Sequence, residues 1–211
     1  MNVGFLQFRE VFFGQGLFST PQIRLYFPGF NMDNLVRWQK KGYIIKLRNT
    51  WYCFKEFADQ HDSSFLIANQ IYAPSYISHQ QAMMFYGMIP EHIVASTSVT
   101  TKKTASFEIM GRTYKYYSVK EELFFGYRLI DVNINGLKRS IMMADREKAM
   151  LDLLYLYPFY QSIDDLSNLR LNESVMEAEL DWDRLHQYAE RFKSKSMLKR
   201  VGFLKRLFND D

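Results

Sequence analysis

The sequence lacks the features that mark a secreted or membrane-spanning protein. Cys53 is the only cysteine, so no intrachain disulfide can form, and a reducing cytoplasm is the expected location. Arg9 and Glu10 interrupt the first apolar stretch and no small-residue cleavage pattern follows, so we expect no signal peptide. No stretch approaches the ~18 apolar residues of a membrane span, since Asp152 interrupts the longest one, at 149–157. We therefore expect a cytoplasmic protein without a membrane partner.

The common catalytic motifs are also missing. The four histidines, His61, His79, His92 and His186, show no metal-ligand spacing, and one cysteine cannot build a typical structural zinc site. The sequence has no phosphate-binding loop, no glycine-rich dinucleotide turn and no Gly-x-Ser-x-Gly elbow. The acid-x-Lys triplet of one broad nuclease class is absent as well. We expect no metal, no cofactor and no enzymatic activity, although an active site built from scattered residues stays open.

Apolar and aromatic residues are abundant. Hydrophobic residues make up 47% of the 211 positions and aromatic residues 17%, with 18 Phe and 14 Tyr. Each aromatic side chain buries a large area, so this composition predicts compact packing and excludes a disordered chain. The length allows one large domain or two small ones.

The positive charge is concentrated near the N-terminus. Residues 1–60 contain eight basic and four acidic side chains, which accounts for the whole net charge of +4. The remaining residues contain nineteen of each sign and are neutral. This asymmetry favours an N-terminal region that faces nucleic acid, attached to a neutral body.

Local signals in residues 1–60 predict three helices followed by a hairpin. A Phe-rich helix is expected at 3–13, and Ser19-Thr20-Pro21 is a typical helix start, with a hydroxyl cap followed by proline. A third helix over 32–41 should end at Gly42. The alternating pattern that follows predicts two strands joined by a turn at 48–50. The sequence thus predicts a winged helix-turn-helix domain at 1–60 and a second domain at 61–211.

The third helix is the predicted recognition helix. Helical spacing places Met32, Leu35, Val36 and Gln39 on one face, toward the core. Asn34, Arg37 and Lys41 should then face outward, where Arg can pair with guanine and Asn with adenine. We expect Trp38, beside them, to pack beneath the wing rather than read a base. The alternative is an ordinary solvated helix. With flanking phosphate contacts included, the predicted DNA-binding residues are Asn34, Arg37, Lys40, Lys41, Lys46 and Arg48.

Residues 61–211 predict a mixed domain with a helical tail, so the fold class is α+β. Residues 62–90 are expected to be helical and 93–143 strand-rich, with Asn135-Gly136 as a hairpin signal. Asp145 should cap a helix that reaches about residue 157. Two apolar stripes predict packing faces in the tail: Trp182, Leu185, Ala189 and Phe192, and then Met197, Val201, Leu204 and Phe208.

A second basic group lies within the strand-rich region. Lys102, Lys103, Arg112 and Lys115 are a candidate surface for an anionic partner. The alternative is a solvated turn, because adjacent lysines usually mark an exposed position. Together with the aromatic residues at 114–117, these cations are also compatible with a different function, that of an RNA-binding or RNA-processing protein.

Six segments resemble the AbiEi family of antitoxins. They are residues 34–48, 74–78, 86–90, 97–104, 122–127 and 146–154, and they lie in order within about residues 18–160. The resemblance implies the antitoxin of a bacterial toxin–antitoxin pair for phage defence, whose partner is a nucleotidyltransferase-like toxin. It also implies that the N-terminal domain binds double-stranded operator DNA and represses its own operon, while the second domain supplies the antitoxic effect. A plain winged-helix repressor with a ligand- or partner-binding body is the alternative.

Overall fold

The structure, a computed structural model, describes residues 3–60, 62–91, 95–134 and 136–208. It is an α+β protein, as predicted, with a helix-rich N-terminus and C-terminal helices. The chain divides into two compact units. The first unit comprises Met1–Ala73 and Asp131–Ser140, so it extends past residue 60, the boundary expected from the sequence. The second unit comprises Pro74–Ile130 and Ile141–Asp211.

The first unit begins with helices and a small antiparallel sheet. Its elements are α1 (Phe5–Phe12), a 3₁₀ turn (Phe13–Gln15), β1 (Leu17–Ser19), α2 (Thr20–Tyr26), α3 (Asp33–Lys40), β2 (Ile44–Arg48), β3 (Trp51–Phe54), α4 (Lys55–Ala58) and α5 (Ser63–Ile71). The strand order is β1-β3-β2, and both pairings are antiparallel. The three helices and the hairpin predicted for residues 1–60 are therefore confirmed as elements, and β1 is an additional strand.

The start of α2 follows the predicted capping pattern. The side-chain oxygen of Gln22 accepts hydrogen bonds from the backbone N–H of Ser19 at 2.8 Å and from its hydroxyl at 2.9 Å. Just before β1, Gly16 has a φ of 73°, and a Cβ there would lie 2.2 Å from the ring of Phe57. Only glycine fits this position, because both the backbone and the neighbouring ring exclude a side chain.

Aromatic rings form the core of the first unit. Phe8 of α1 is fully buried at its centre. Its ring centroid lies 4.8–6.3 Å from those of Phe12, Phe18, Phe27, Phe30, Trp38 and Phe54. The ring of Phe27 is stacked with that of Phe8 and the other five are tilted or edge-on, and both offset stacking and edge-on contact are arrangements that aromatic pairs prefer. The high Phe content of the sequence is thus used to join α1, α2, α3 and the sheet.

The second unit contains most of a six-stranded sheet and the remaining helices. Its elements, in order, are β4 (Ser75–Ile77), α6 (His79–Phe85), β5 (Ser96–Thr100), β6 (Ala105–Ile109), β7 (Arg112–Ser118), a 3₁₀ turn (Glu121–Leu123), β8 (Tyr127–Ile134), β9 (Leu137–Ala144), α7 (Arg146–Leu156), α8 (Ile163–Ser167), α9 (Glu173–Ala178), α10 (Trp182–Glu190) and α11 (Lys195–Phe208). The residues at the connection of β8 and β9 are assigned to the first unit.

The sheet mixes parallel and antiparallel neighbours in the order β6-β7-β5-β4-β9-β8. Strands β6 and β7 form an antiparallel hairpin, whereas β5 pairs with β7 in parallel. Strand β4 pairs antiparallel with β5, and Ile77 of β4 is also the parallel partner of Met143 in β9. The helical prediction for 62–90 holds for α5 and α6, but the short strand β4 between them was not expected. Strands were expected from residue 93, but residue 93 and the predicted hairpin residue Asn135 lie outside the described residues.

The predicted cap and the apolar faces of the C-terminal helices are present. Asp145 accepts a hydrogen bond from the backbone N–H of Lys148 at 2.8 Å, which caps α7. The predicted stripes supply buried residues in α10 and α11: Leu185, Ala189, Met197, Val201 and Leu204. Both faces therefore serve packing within the chain.

Candidate nucleic-acid interface

Helix α3 presents cations on its exposed side. Arg37, Lys40 and Lys41 are all exposed, and Arg37 and Lys41 are separated by four residues. One helical turn therefore brings these two side chains to the same face, about 6 Å apart along the axis. Both line a surface depression of about 190 Å³. This arrangement can contact closely spaced phosphates.

The predicted orientation of α3 is wrong for Asn34 and Val36. Asn34 is only 4% exposed, whereas Val36 is 50% exposed. The Asn34 amide nitrogen donates to the Val3 carbonyl at 3.4 Å, and its oxygen accepts from Arg37. The buried side of the helix is rotated by about one residue, or roughly 100°, from the expected one. Because its amide is used within the protein, Asn34 is removed from the predicted base-reading residues.

Trp38 lies on the buried side of α3. Its ring centroid lies 4.8 Å from that of Phe8, 5.3 Å from that of Phe5 and 5.7 Å from that of Phe30. It is 7% exposed, so it packs rather than reads a base, as expected. These ring contacts are with α1 and with Phe30, which lies between α2 and α3.

The hairpin contributes one free cation, not two. Lys46 of β2 is exposed. Arg48, in contrast, is half-buried, since its Nη1 donates to the Ile71 carbonyl at 3.1 Å and its guanidinium lies 5.0 Å from the ring of Tyr72. The prediction that Arg48 reaches a phosphate is therefore corrected, because its donors bind the chain itself. The turn after it is formed by Asn49 with a left-handed φ of 49°, which asparagine tolerates well.

The four cations predicted as a second surface are not gathered into one patch. Lys102 and Lys103 follow β5, and both are exposed. They lie near the end of β7, where the backbone N–H of Ser118 donates to the Thr104 hydroxyl. Arg112 starts β7 at its other end and is half-buried. At about 3.3 Å per residue, the two ends of β7 are roughly 20 Å apart, with the exposed Lys115 between them.

A buried ion pair lies beneath the sheet of the second unit. Lys148 and Asp152, one turn apart on α7, form a salt bridge with both side chains 0% exposed. Asp152 also accepts from the Tyr76 hydroxyl at 3.0 Å and from the Ser78 hydroxyl at 2.7 Å. Burial lowers the pKa of Lys148, while burial and the nearby Asp152 raise the pKa of Tyr76. The carboxylate thus joins α7 to β4 and the start of α6.

Aromatic rings and a glycine shape the surroundings of Lys148. Its Nζ lies 5.0–5.5 Å from the ring centroids of Tyr76, Phe125 and Phe192. Gly126 has a φ of 68°, and a Cβ there would lie 2.9 Å from the Lys148 side chain. Cation–π attraction therefore supplements the single carboxylate. The sequence offered one signal of this burial, a Lys and an Asp at i and i+4 on a helix with apolar residues around it.

His79 is a second buried group that the sequence did not reveal. It is fully buried, and neither ring nitrogen has a hydrogen-bond partner among the described residues. Its ring stacks on Tyr117 at 4.7 Å, and the Tyr117 hydroxyl lies 3.0 Å from that of Tyr157. Burial lowers the pKa of His79 to about 4, so the ring is neutral at pH 7. Its φ of 57° is unusual for a non-glycine residue.

The described residues contain neither a metal-binding cluster nor a helix able to span a membrane. No group of three His, Cys, Asp or Glu side chains in 3–60, 62–91, 95–134 and 136–208 could hold a metal ion. His61 and His92 lie outside these ranges. Within the same ranges, no helix has the length and apolar character needed to cross a membrane.

No family model matches this chain, and no curated protein matches it.

Proposed function

We propose that the chain is a DNA-binding antitoxin of the AbiEi type, whose first unit is a winged helix-turn-helix. The order helix, strand, two helices and hairpin, with β3 between β1 and β2, supports this proposal. In such domains the last helix before the hairpin enters the major groove and the hairpin lies along the backbone. Helix α3 and the β2–β3 hairpin occupy these places in the first unit.

The observation that carries the proposal is the cationic surface of α3 and the hairpin. Its members are the exposed residues Arg37, Lys40, Lys41 and Lys46, which we call the α3 surface. The first unit holds ten basic and six acidic side chains, whereas the second holds seventeen of each. The excess charge is thus in the same unit as the α3 surface, which suits attraction to phosphates. Arg37 is exposed, one nitrogen of its guanidinium donates to Asn34, and the remaining donors can pair with guanine.

The antitoxic role is proposed for the second unit. Five of the six AbiEi-like segments lie wholly in it, at 74–78, 86–90, 97–104, 122–127 and 146–154, and the last of these carries the buried Lys148 and Asp152. The functional partner proposed for it is a nucleotidyltransferase-like toxin from the same operon. In this proposal the chain acts by binding and catalyses no reaction.

Promoter binding tests the role of the first unit. Replacing Arg37 and Lys41 with Ala should abolish the gel shift of the full chain on the DNA upstream of its own gene. If the α3 surface contacts four phosphates, it should contribute about −3 to −4 to the slope of log affinity against log salt. The matched control replaces Lys102 and Lys103, exposed lysines of the second unit, with Ala and should bind normally. Unchanged binding by the α3 variant would overturn the assignment of this helix.

Co-expression tests the antitoxic role. The full chain should rescue cells that express the toxin gene of its operon, and the Arg37→Ala, Lys41→Ala variant should rescue them equally well while derepressing the promoter. This separation is expected because the α3 surface belongs to regulation alone. Failure of the unmodified chain to rescue would remove the antitoxin assignment and leave a plain repressor.

A further inference from the structure

The neutral charge of the second unit conceals a strong separation along the chain. Residues 161–190 contain eight acidic and two basic side chains. Residues 191–208 contain seven basic side chains and no acidic one. Most of this basic segment is helix α11, so a cationic surface exists outside the first unit.

Packing determines which side of α11 is exposed. Met197, Val201 and Leu204 are buried, and so is Arg200. The guanidinium of Arg200 donates to the Leu154 carbonyl, to the Ser196 carbonyl at 3.2 Å and to the Ser196 hydroxyl at 3.1 Å. This arginine is therefore structural, and it fixes the rotation of the helix on α7.

The opposite side carries a row of cations, which we call the α11 stripe. Lys195, Lys199, Gly202 and Arg206 follow one another at i, i+4, i+7 and i+11, and all four are exposed. The row is about 16 Å long. None of its three cations forms an ion pair with a described residue. Gly202, in the middle, adds no side chain, so another molecule can approach the helix backbone closely.

The chemistry of the stripe distinguishes among anionic partners. An amphipathic helix that inserts into a membrane surface uses a free apolar face beside its cations, but the apolar face of α11 is already buried. Single-stranded nucleic acid needs exposed rings for base stacking. The nearest ring, Phe203, is half-buried, with Lys199 Nζ at 5.4 Å and the Arg206 guanidinium carbon at 4.9 Å from its centroid. Duplex RNA presents a groove too narrow for a helix, whereas the major groove of B-DNA, about 12 Å wide, admits one.

We infer that the α11 stripe is a second DNA-contacting surface, which binds the phosphates of duplex DNA without reading its sequence. The inference extends the proposed DNA-binding function to the second unit. Lysine and arginine ends are the only charged groups of the stripe, so it supplies affinity and salt dependence rather than base specificity. An operator complex would then gain contacts beyond those of the α3 surface.

Fluorescence anisotropy of the full chain with a duplex that lacks the promoter sequence tests the inference. In the variant Lys195→Gln, Lys199→Gln, Arg206→Gln, the slope of log affinity against log salt should become less negative by about 2 to 3. Affinity at ~0.1 M salt should fall by about tenfold or more. The matched control, Lys102→Gln, Lys103→Gln, Lys115→Gln, removes the same charge from exposed positions elsewhere and should change the slope by less than about 1. Circular dichroism should show equal helix content in all three proteins.

Three outcomes would overturn the inference: an unchanged slope in the α11 variant, equal losses in both variants, or tighter binding of single-stranded RNA than of the duplex. The proposed function is judged separately, by the preference of the unmodified chain for its own promoter over the unrelated duplex. The α11 variant should keep that preference, whereas the Arg37→Ala, Lys41→Ala variant should lose it. Loss of one property with retention of the other therefore identifies which proposal has failed.

Discussion

Phe8 in the first unit and Lys148 in the second are both fully buried, yet their surroundings stabilise them in different ways. Phe8 is surrounded by other rings, and its stabilisation comes from apolar area and ring geometry. Lys148 depends on one carboxylate and three ring faces. The buried charged residues among the described positions are Glu147, Lys148, Asp152 and Arg200, and all of them belong to the second unit. The first unit thus has a core that tolerates exchange of similar shapes, whereas the second depends on specific polar partners.

Among the substitutions that test this comparison, Lys148→Met should lower the free energy of unfolding most. The shape of the side chain is nearly kept, but Asp152 loses its cation in a fully buried position, which should cost about 3–5 kcal/mol. Hydrogen exchange followed peptide by peptide should show the loss in α7 and not in α1. A change below about 1 kcal/mol in α7 would mean that water reaches Asp152 and that the pair is not truly buried.

A change of pH should alter the contributions of His79 and Asp145 to stability in opposite directions. The pKa of His79 is lowered by burial from 6.5 to about 4, so the unfolded state binds more protons between these values. This histidine therefore lowers stability as the pH falls through that range, by up to about 3 kcal/mol. Burial raises the pKa of Asp145 from 3.8 to about 6, which has the opposite sign: the native state gains stability as the pH falls.

The variant His79→Phe keeps the stacking and removes the titration. We compare the free energy of unfolding of the second unit in this variant with that in the unmodified chain. The difference should shift in favour of the variant when the pH is lowered from 7 to 4.5. Asp145→Asn should show a smaller change of the opposite sign, because Asp145 is partly exposed. Urea unfolding at the two pH values, monitored by hydrogen exchange in α7, measures the effect of both substitutions. Parallel pH profiles for His79→Phe and the unmodified chain would show that His79 titrates normally.

The smallest effect is expected in the first unit. Replacing Phe8 with Leu keeps a branched apolar side chain but removes the ring, so it should cost about 1–2 kcal/mol, less than Lys148→Met. The loss should be confined to exchange in α1, α2 and α3. A loss as large as that of Lys148→Met would mean that the ring contacts of Phe8 are as specific as the buried ion pair, which would erase the contrast between the two units.

Sequence reasoning succeeded where the signal is local. The Ser19-Thr20-Pro21 start, the hairpin turn and the Asp145 cap each depend on a few adjacent residues, and each is present. The rotation of α3 was missed because it depends on a distant group, the Val3 carbonyl that receives the Asn34 amide. A polar residue was therefore placed outside and an apolar one, Val36, inside.

The features of the second unit that the sequence did not reveal have two separate causes. Whether Lys148 and Asp152 are exposed or buried depends on β4, a strand of three residues that is too short to give a periodic signal. The basic α11 stripe was missed because the charge was summed over residues 61–211, where the acidic segment before it cancels the total. The net charge counted over windows of about five helical turns, or ~18 residues, distinguishes the acidic segment at 161–190 from the basic segment at 191–208.

The parallel pairing of β4 with β9 also affects when the protein can fold. At about 5–20 residues per second, Ile77 is synthesised on the order of 3–13 seconds before its partner Met143. The antiparallel partner β5 follows soon after β4, so one edge of the short strand is covered early and the other is left open. The contacts of β1 with β3 close over a much shorter stretch of chain. The nascent chain therefore passes through an interval in which the small N-terminal sheet can be complete while one edge of β4 is still unpaired. During this interval the open edge can pair with other chains. The interval ends only when β9 emerges.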